Sequence, residues 1–158
     1  MRTSLDSRRT FGVPTFFASI MSVLVSCGSR DASVAGTWTL DTAAFVEAAL
    51  PVLKEHGRIP AGAEGEAKAQ LGKVRMSVDL ASDGSFVCHM GIGTTARFEG
   101  TWVQNGKNVA LVQTLEDGEP KDDQMSGTQD GNSLRLVHDE AGMAMCYVLR
   151  RSSAASPR

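Results

Sequence analysis

From Val74 onward, apolar residues recur at every second position along the chain. Val74, Met76, Val78 and Leu80 alternate with polar residues, and the alternation resumes over 86–92. Because successive side chains of a strand point to opposite faces, this period predicts strands with one buried face. Further strands are predicted at 95–103, 107–115, 124–129, 134–138 and 143–150, with the polar run 116–123 as a break.

The links between these strands carry the residues of tight turns. Glycine follows Asp, Asn or Ala at 83–84, 105–106, 130–131 and 141–142. Glycine and Asn tolerate the positive φ of two-residue hairpins, so the links predict antiparallel neighbours. Parallel strands would need crossover connections far longer than these.

One helical interval precedes the alternating region. A first strand is expected at 34–40 around Trp38, followed by Asp41 as an N-cap. A helix is predicted over 42–56, with Pro51 expected to kink or divide it. A second, weaker helix is expected at 63–71. The two would form a helical insertion after strand one.

About eight strands in sequential hairpins must hide one apolar face. The predicted fold is mainly β, an antiparallel meander that closes into a barrel or half-barrel. Whether the interior is filled or holds a cavity stays open at this point. The inward-facing candidates are Trp38, Val78, Leu80, Phe86, Met90, Phe98, Trp102, Leu111, Leu136 and Tyr147.

The first 27 residues have a different character. Arg2, Arg8 and Arg9 precede an apolar stretch over 11–25 that is too short and too broken to span a bilayer. This order is typical of an export signal that is removed. The predicted organisation is a cleaved signal at 1–26, a tether at 27–33, one β domain at 34–151 and a disordered tail at 152–158.

Two motifs in this leader resemble known signals. Ser7-Arg8-Arg9-Thr10-Phe11 is similar to the core of the twin-arginine export signal, and Leu24-Val25-Ser26-Cys27 is similar to the lipobox of bacterial lipoproteins. The resemblance implies that Cys27 carries a diacylglyceryl group and is the first mature residue. Two or more acyl chains hold a protein durably at a bilayer. The expected location is the cell envelope, facing the periplasm or the exterior, and the alternative is an ordinary secretory signal.

The β region resembles bacterial lipocalin-like lipoproteins. Gly36-Thr37-Trp38 looks like the Gly-x-Trp opening of lipocalin barrels, and Gly100-Thr101-Trp102 repeats it. The resemblance implies that Trp38 packs across a closed base with a basic residue of the last strand, either Arg150 or Arg151. The helical insertion departs from that family.

Cys88 and Cys146 remain once Cys27 is acylated. In an oxidising compartment they predict a disulfide, with two separate buried thiols as the alternative. Together with His89, Met90, His138, Met143 and Met145 they also offer ligands of the kind that copper(I) or zinc uses. Strand alternation argues against convergence, because Cys88 and His89 point to opposite faces. No metal site is therefore predicted.

Charge and motifs narrow the function. Cleavage before Cys27 removes three of 16 basic and one of 18 acidic residues, and the resulting acidic balance disfavours nucleic acid as a partner. No hydrolase, phosphate-loop or dinucleotide motif is present, so we expect neither an enzyme nor a cofactor. The leading hypothesis is a lipid-anchored extracytoplasmic module that binds an apolar small molecule or an envelope protein. The alternatives are a scaffolding lipoprotein with a filled core and, less favoured, a periplasmic metal carrier.

Overall fold

The computed structural model of the protein describes residues 33–152. The predicted signal, Cys27, the tether up to residue 32 and the tail from residue 153 lie outside the described residues. The elements in chain order are β1 (Gly36–Leu40), α1 (Thr42–Glu55), α2 (Glu64–Leu71), β2 (Arg75–Leu80), β3 (Ser85–Ile92), β4 (Thr94–Asn105), β5 (Asn108–Glu116), β6 (Glu119–Asp130), β7 (Ser133–Glu140) and β8 (Met143–Arg151).

The strands form one closed antiparallel barrel. Each strand pairs with the next along the chain, and β1 pairs with β8 through Thr39 and Arg150. The prediction of an eight-stranded, lipocalin-like meander with a helical insertion after strand one is confirmed, in its closed form. Closure removes every sheet edge, which is why a chain of simple hairpins can stand without a covering layer.

The two ends of the barrel differ, and we name them by β1. The base is the end where β1 begins, and the mouth is the end where β1 finishes and α1 follows. All ten predicted inward residues belong to the core or pack against it. Leu111, Leu134, Leu136 and Leu149 are at most 1% exposed, so the barrel is filled through its middle.

Helix α1 covers part of the mouth. Asp41 caps it by accepting a hydrogen bond from the Ala44 N–H at 3.1 Å, as the sequence predicts. Its apolar face buries Phe45, Val46 and Ala49. The helix continues through Pro51 rather than dividing there. Helix α2, by contrast, buries no residue.

Strand β6 corrects one prediction. The polar run 116–123 is not a break, because β5 and β6 are joined by a two-residue turn with Glu116 opposite Glu119. Asp117 and Gly118 adopt φ of 50° and 87°, the left-handed conformation that such a turn requires. The alternation is masked by exposed charged residues and by a register shift between Gln113 and Leu115.

Within residues 33–152, neither helix has the length and apolar character needed to cross a bilayer.

Candidate functional site

A pocket of about 350 Å³ opens at the mouth of the barrel. Its apolar walls are the side chains of Met90, Phe98, Met125 and Tyr147, contributed by β3, β4, β6 and β8. The volume lies at the lower end of the range of about 300–1,000 Å³ that is typical of small-molecule pockets. The mouth is therefore concave, with apolar walls and several charged residues, while the middle and the base are filled.

Gln113 is a buried polar residue of this pocket. The residue is 5% exposed, and its Nε2 has no hydrogen-bond partner. A buried amide without a partner costs about 1–3 kcal/mol, so native proteins rarely keep one. Among the described residues it is the one buried side-chain donor with no protein partner, so it is available to a molecule in the pocket.

Strand irregularities surround Gln113. The register shifts between Glu99 and Gly100 on one side of β5 and between Gln113 and Leu115 on the other. Such bulges bend a strand and redirect side chains, and they occur often beside binding sites. The β4–β5 approach is close, because a Cβ on Gly100 would lie 2.0 Å from the Val112 carbonyl oxygen. Glycine at that position is what allows the strands to meet beside the pocket.

His138 and Asp123 form a polar pair on the pocket wall. The His138 Nε2 lies 2.9 Å from the Asp123 Oδ2, and the two side chains are 16% and 33% exposed. Burial raises the pKa of Asp123, but hydrogen bonds from His138 and from the Gln124 N–H outweigh burial and hold that pKa below its usual value. Asp123 is therefore an anion that orients the imidazole.

Tyr147 connects the pocket to helix α1. Its ring stacks on Phe45 with the centroids 5.3 Å apart and the planes 7° apart. Burial, with a smaller effect from the nearby Glu140, raises the pKa of Tyr147 to about 12. The phenol therefore stays protonated at neutral pH, and the stack holds the ring against helix α1.

The pocket rim is acidic. Four carboxylates line it, against one lysine and His138. That lysine, Lys121, lies 3.4 Å from the Glu116 carboxylate and is half exposed. Both Lys121 and His138 therefore already lie against a carboxylate of the described lining. The carboxylates are Glu116, Asp123, Asp139 and Glu140.

The opposite end of the barrel is closed by packing. The Arg151 guanidinium carbon lies 4.4 Å from the centroid of the Trp38 ring. The same guanidinium donates to the carbonyls of Ala35 at 2.8 Å and Ser33 at 2.7 Å. Of the two candidates for the basic partner of Trp38, the structure selects Arg151. Arg150 points outward and pairs with Asp41 at 3.2 Å.

The predicted lining residues divide between these two regions. Met90, Phe98 and Tyr147 line the mouth pocket. Trp38 and Phe86 are buried in the core, and Trp102 packs against it. The barrel is therefore filled at its base and middle and has a cavity only at its mouth.

The predicted disulfide is wrong for this structure. Cys88 and Cys146 are both free, and β1 and β2 separate their strands. Cys88 faces the interior, where burial raises the pKa of its thiol to about 12, whereas Cys146 alternates with the buried Met145 and Tyr147 and faces outward. Two thiols on opposite faces of a barrel wall cannot form a bond of about 2 Å.

The residues of the metal-carrier alternative do not converge either. His89 lies on the outer face of β3, opposite in direction to Cys88, and His138 pairs with Asp123 at the mouth. Within residues 33–152, no group of three or more His, Cys, Asp or Glu side chains is placed to hold a metal ion.

Sequence reasoning missed the polar residues of the pocket. Gln113 continues the inward series of Val109 and Leu111, so its place on the inner face could be inferred from the alternation. Asp123 gave no such signal, because the run around it is uniformly polar.

The chain matches no protein-family model, no curated protein and no solved structure. The fold and the mouth pocket are consequently the basis on which a function is proposed.

Proposed function

We propose that this protein is a binding module that holds a small, mainly apolar molecule in the mouth of its barrel. The observation that carries the proposal is the 350 Å³ pocket with an unpartnered, buried Gln113 amide among Met and aromatic side chains. Such a pocket combines apolar contact area with one polar group that orients a ligand. The solid base below it provides the rigid support that a site needs.

The proposal includes a membrane anchor at Cys27, which rests on the lipobox resemblance. The acyl chains would hold the barrel at the cell envelope, outside the cytoplasm, close to the amphiphilic molecules dissolved in a bilayer. A Cys27→Ala variant is expected to leave the membrane fraction, while a Cys146→Ala control stays in it. Equal membrane retention of both variants would contradict the anchor.

The binding function is tested with N-phenyl-1-naphthylamine, an uncharged probe that fluoresces in apolar surroundings. Saturable fluorescence is expected with the full-length Cys27→Ala protein. A further Met90→Trp substitution should weaken the signal, because the larger side chain fills the mouth pocket. Val103→Trp is the matched control, since Val103 is 67% exposed on the outer face of the barrel. Loss of binding only with Val103→Trp would move the site to the outside of the barrel and reject the proposal.

A scaffolding role is the second candidate, and the outer face of the barrel favours it. Val103, Val112 and Val137 are 67%, 41% and 38% exposed, and a shallow depression of about 600 Å³ lies on the outside of β4–β8. The patch that this alternative would use is therefore on the outer face of the sheet. Absence of probe binding, together with crosslinks to an envelope protein through Val103, would favour scaffolding.

A further inference from the structure

We infer that the mouth pocket selects uncharged amphiphiles whose polar end is a carbonyl-type hydrogen-bond acceptor, and that it discriminates against carboxylates of the same chain length. The inference rests on the proposed binding function and specifies its ligand class. It is carried by the unpartnered Gln113 Nε2 and by the acidic rim.

The first step concerns the Gln113 Nε2 donor, which has no hydrogen-bond partner. Nε2 of Gln113 is buried and can only donate, so the ligand atom that completes the site must be an acceptor. Met90, Phe98 and Met125 offer no oxygen for it, and no carboxylate of the pocket forms a hydrogen bond with it. In such surroundings a hydrogen bond to an oxygen is worth far more than in water, because the alternative is an unsatisfied amide.

The second step is the charge of the acceptor. A carboxylate would also accept from Gln113, but it would enter a pocket lined by four carboxylates. Lys121 is engaged by Glu116, and His138 is engaged by Asp123, whose pKa is held low. Like charges in a partly desolvated site repel, whereas a carbonyl oxygen brings no net charge. The rim therefore selects amides, esters and ketones over acids.

The third step is the orientation of the ligand. Gln113 lies on the inner wall of β5, while the carboxylates of Glu116 and Glu140 belong to the ends of β5 and β7. The carbonyl consequently enters toward Gln113, and the apolar body rests on Met90, Phe98 and Tyr147. A ligand bound in the reverse direction would leave Nε2 without a partner.

Isothermal titration calorimetry with octanamide and octanoate tests the inference, using full-length Cys27→Ala protein at pH 7.5. Octanamide should bind at least about tenfold more tightly than octanoate. Gln113→Met, which keeps the side-chain length and removes the donor, should weaken octanamide binding about tenfold, as expected for one lost buried hydrogen bond. The control Gln124→Met changes an exposed residue of β6 and should leave both affinities unchanged.

The outcomes separate this inference from the proposed function. If octanoate binds as tightly as octanamide, or if Gln113→Met leaves octanamide binding unchanged, the ligand class is wrong while the binding function stands. The second result would mean that water satisfies Nε2 in solution. If neither compound binds and N-phenyl-1-naphthylamine also fails to bind, both the function and its ligand class are rejected.

Discussion

A substitution at Gln113 should make the protein more stable, which is the reverse of the usual effect of changing a buried residue. The Gln113→Met variant removes an amide that is 5% exposed and has an unpartnered Nε2, and it places an apolar side chain of similar length beside Met90, Met125 and Phe98. Leaving a buried donor unpaired costs about 1–3 kcal/mol. The free energy of unfolding is therefore expected to rise by about that amount.

Gln129 provides the matched control. It is also 5% exposed, but its Oε1 accepts from Gln104 at 3.1 Å and its Nε2 donates to the Gly131 carbonyl at 3.2 Å. Gln129→Met removes both hydrogen bonds, each worth about 0.5–1.5 kcal/mol. The same chemical change should therefore lower stability by about 1–3 kcal/mol.

Urea unfolding, followed by the fluorescence of Trp38 and Trp102, measures both effects. For a domain of this size, 1 kcal/mol corresponds to a shift in Tm of about 3–5 °C, so the two variants should separate clearly in a thermal scan as well. If Gln113→Met destabilised the protein as much as Gln129→Met, the amide would have a partner in solution. The reasoning that makes Gln113 a ligand-binding group would then be refuted.

Three further predictions concern the barrel base, the close contact between β4 and β5, and the two cysteine thiols of the barrel. Arg151→Met should lower the free energy of unfolding by about 2–4 kcal/mol in urea titrations, because it removes two charged hydrogen bonds and the contact with the Trp38 ring. The control Arg150→Met breaks one exposed ion pair and should lower it by less than about 1 kcal/mol. Equal losses would contradict the structural role of Arg151. Gly100→Ala should destabilise the barrel by about 3 kcal/mol or more, since its Cβ would lie 2.0 Å from a carbonyl oxygen, and an unchanged Tm would exclude the close strand approach. In the Cys27→Ala protein, iodoacetamide should label Cys146 in the native state and Cys88 only after denaturation, as read by mass spectrometry. The reason is that Cys88 is buried and the pKa of its thiol is raised to about 12. If neither cysteine were labelled before reduction, a disulfide would be present.

The proposed binding function gives a reason for keeping the buried, unpartnered amide of Gln113. A protein that carried Met at position 113 would gain stability but lose the only buried side-chain donor without a partner in the described residues. Sites built for function commonly retain such locally unfavourable groups. The loss of stability at Gln113 is offset by the rest of the barrel, where the middle is filled and Arg151 stacks on Trp38 at the base.

Local sequence signals predicted most of the strands. The alternation in β2, β3 and β5 appears directly in their burial patterns, because a strand that buries one face must repeat apolar residues every second position. The same turn signal that marks 105–106 is also present at Asp117-Gly118, where the surrounding acidic residues hid it. A charged run on a solvent-facing hairpin carries no apolar period, so the start of β6 was the part of the sheet that periodicity missed.

The pocket was only partly predictable. Met90, Phe98 and Tyr147 were expected on the inner face, and Gln113 could have been added by extending the series from Leu111. Their meeting at the mouth depends on the bulges in β5 and β6, which shift the register by one residue. A one-residue shift has no composition signal of its own, so the position of Asp123 opposite Gln113 is a property of the assembled sheet.

The amino-acid sequence by itself determined the strand period, the tight turns and the N-cap of α1, since each depends on residues close together in the chain. Only the tertiary structure decided that the sheet closes, that Arg151 rather than Arg150 reaches Trp38, and that Cys88 and Cys146 lie on opposite faces. These features depend on β1 meeting β8, more than one hundred residues apart. The physical reason is that closure sets which side of each strand faces inward, and local patterns do not encode the partners found across the barrel.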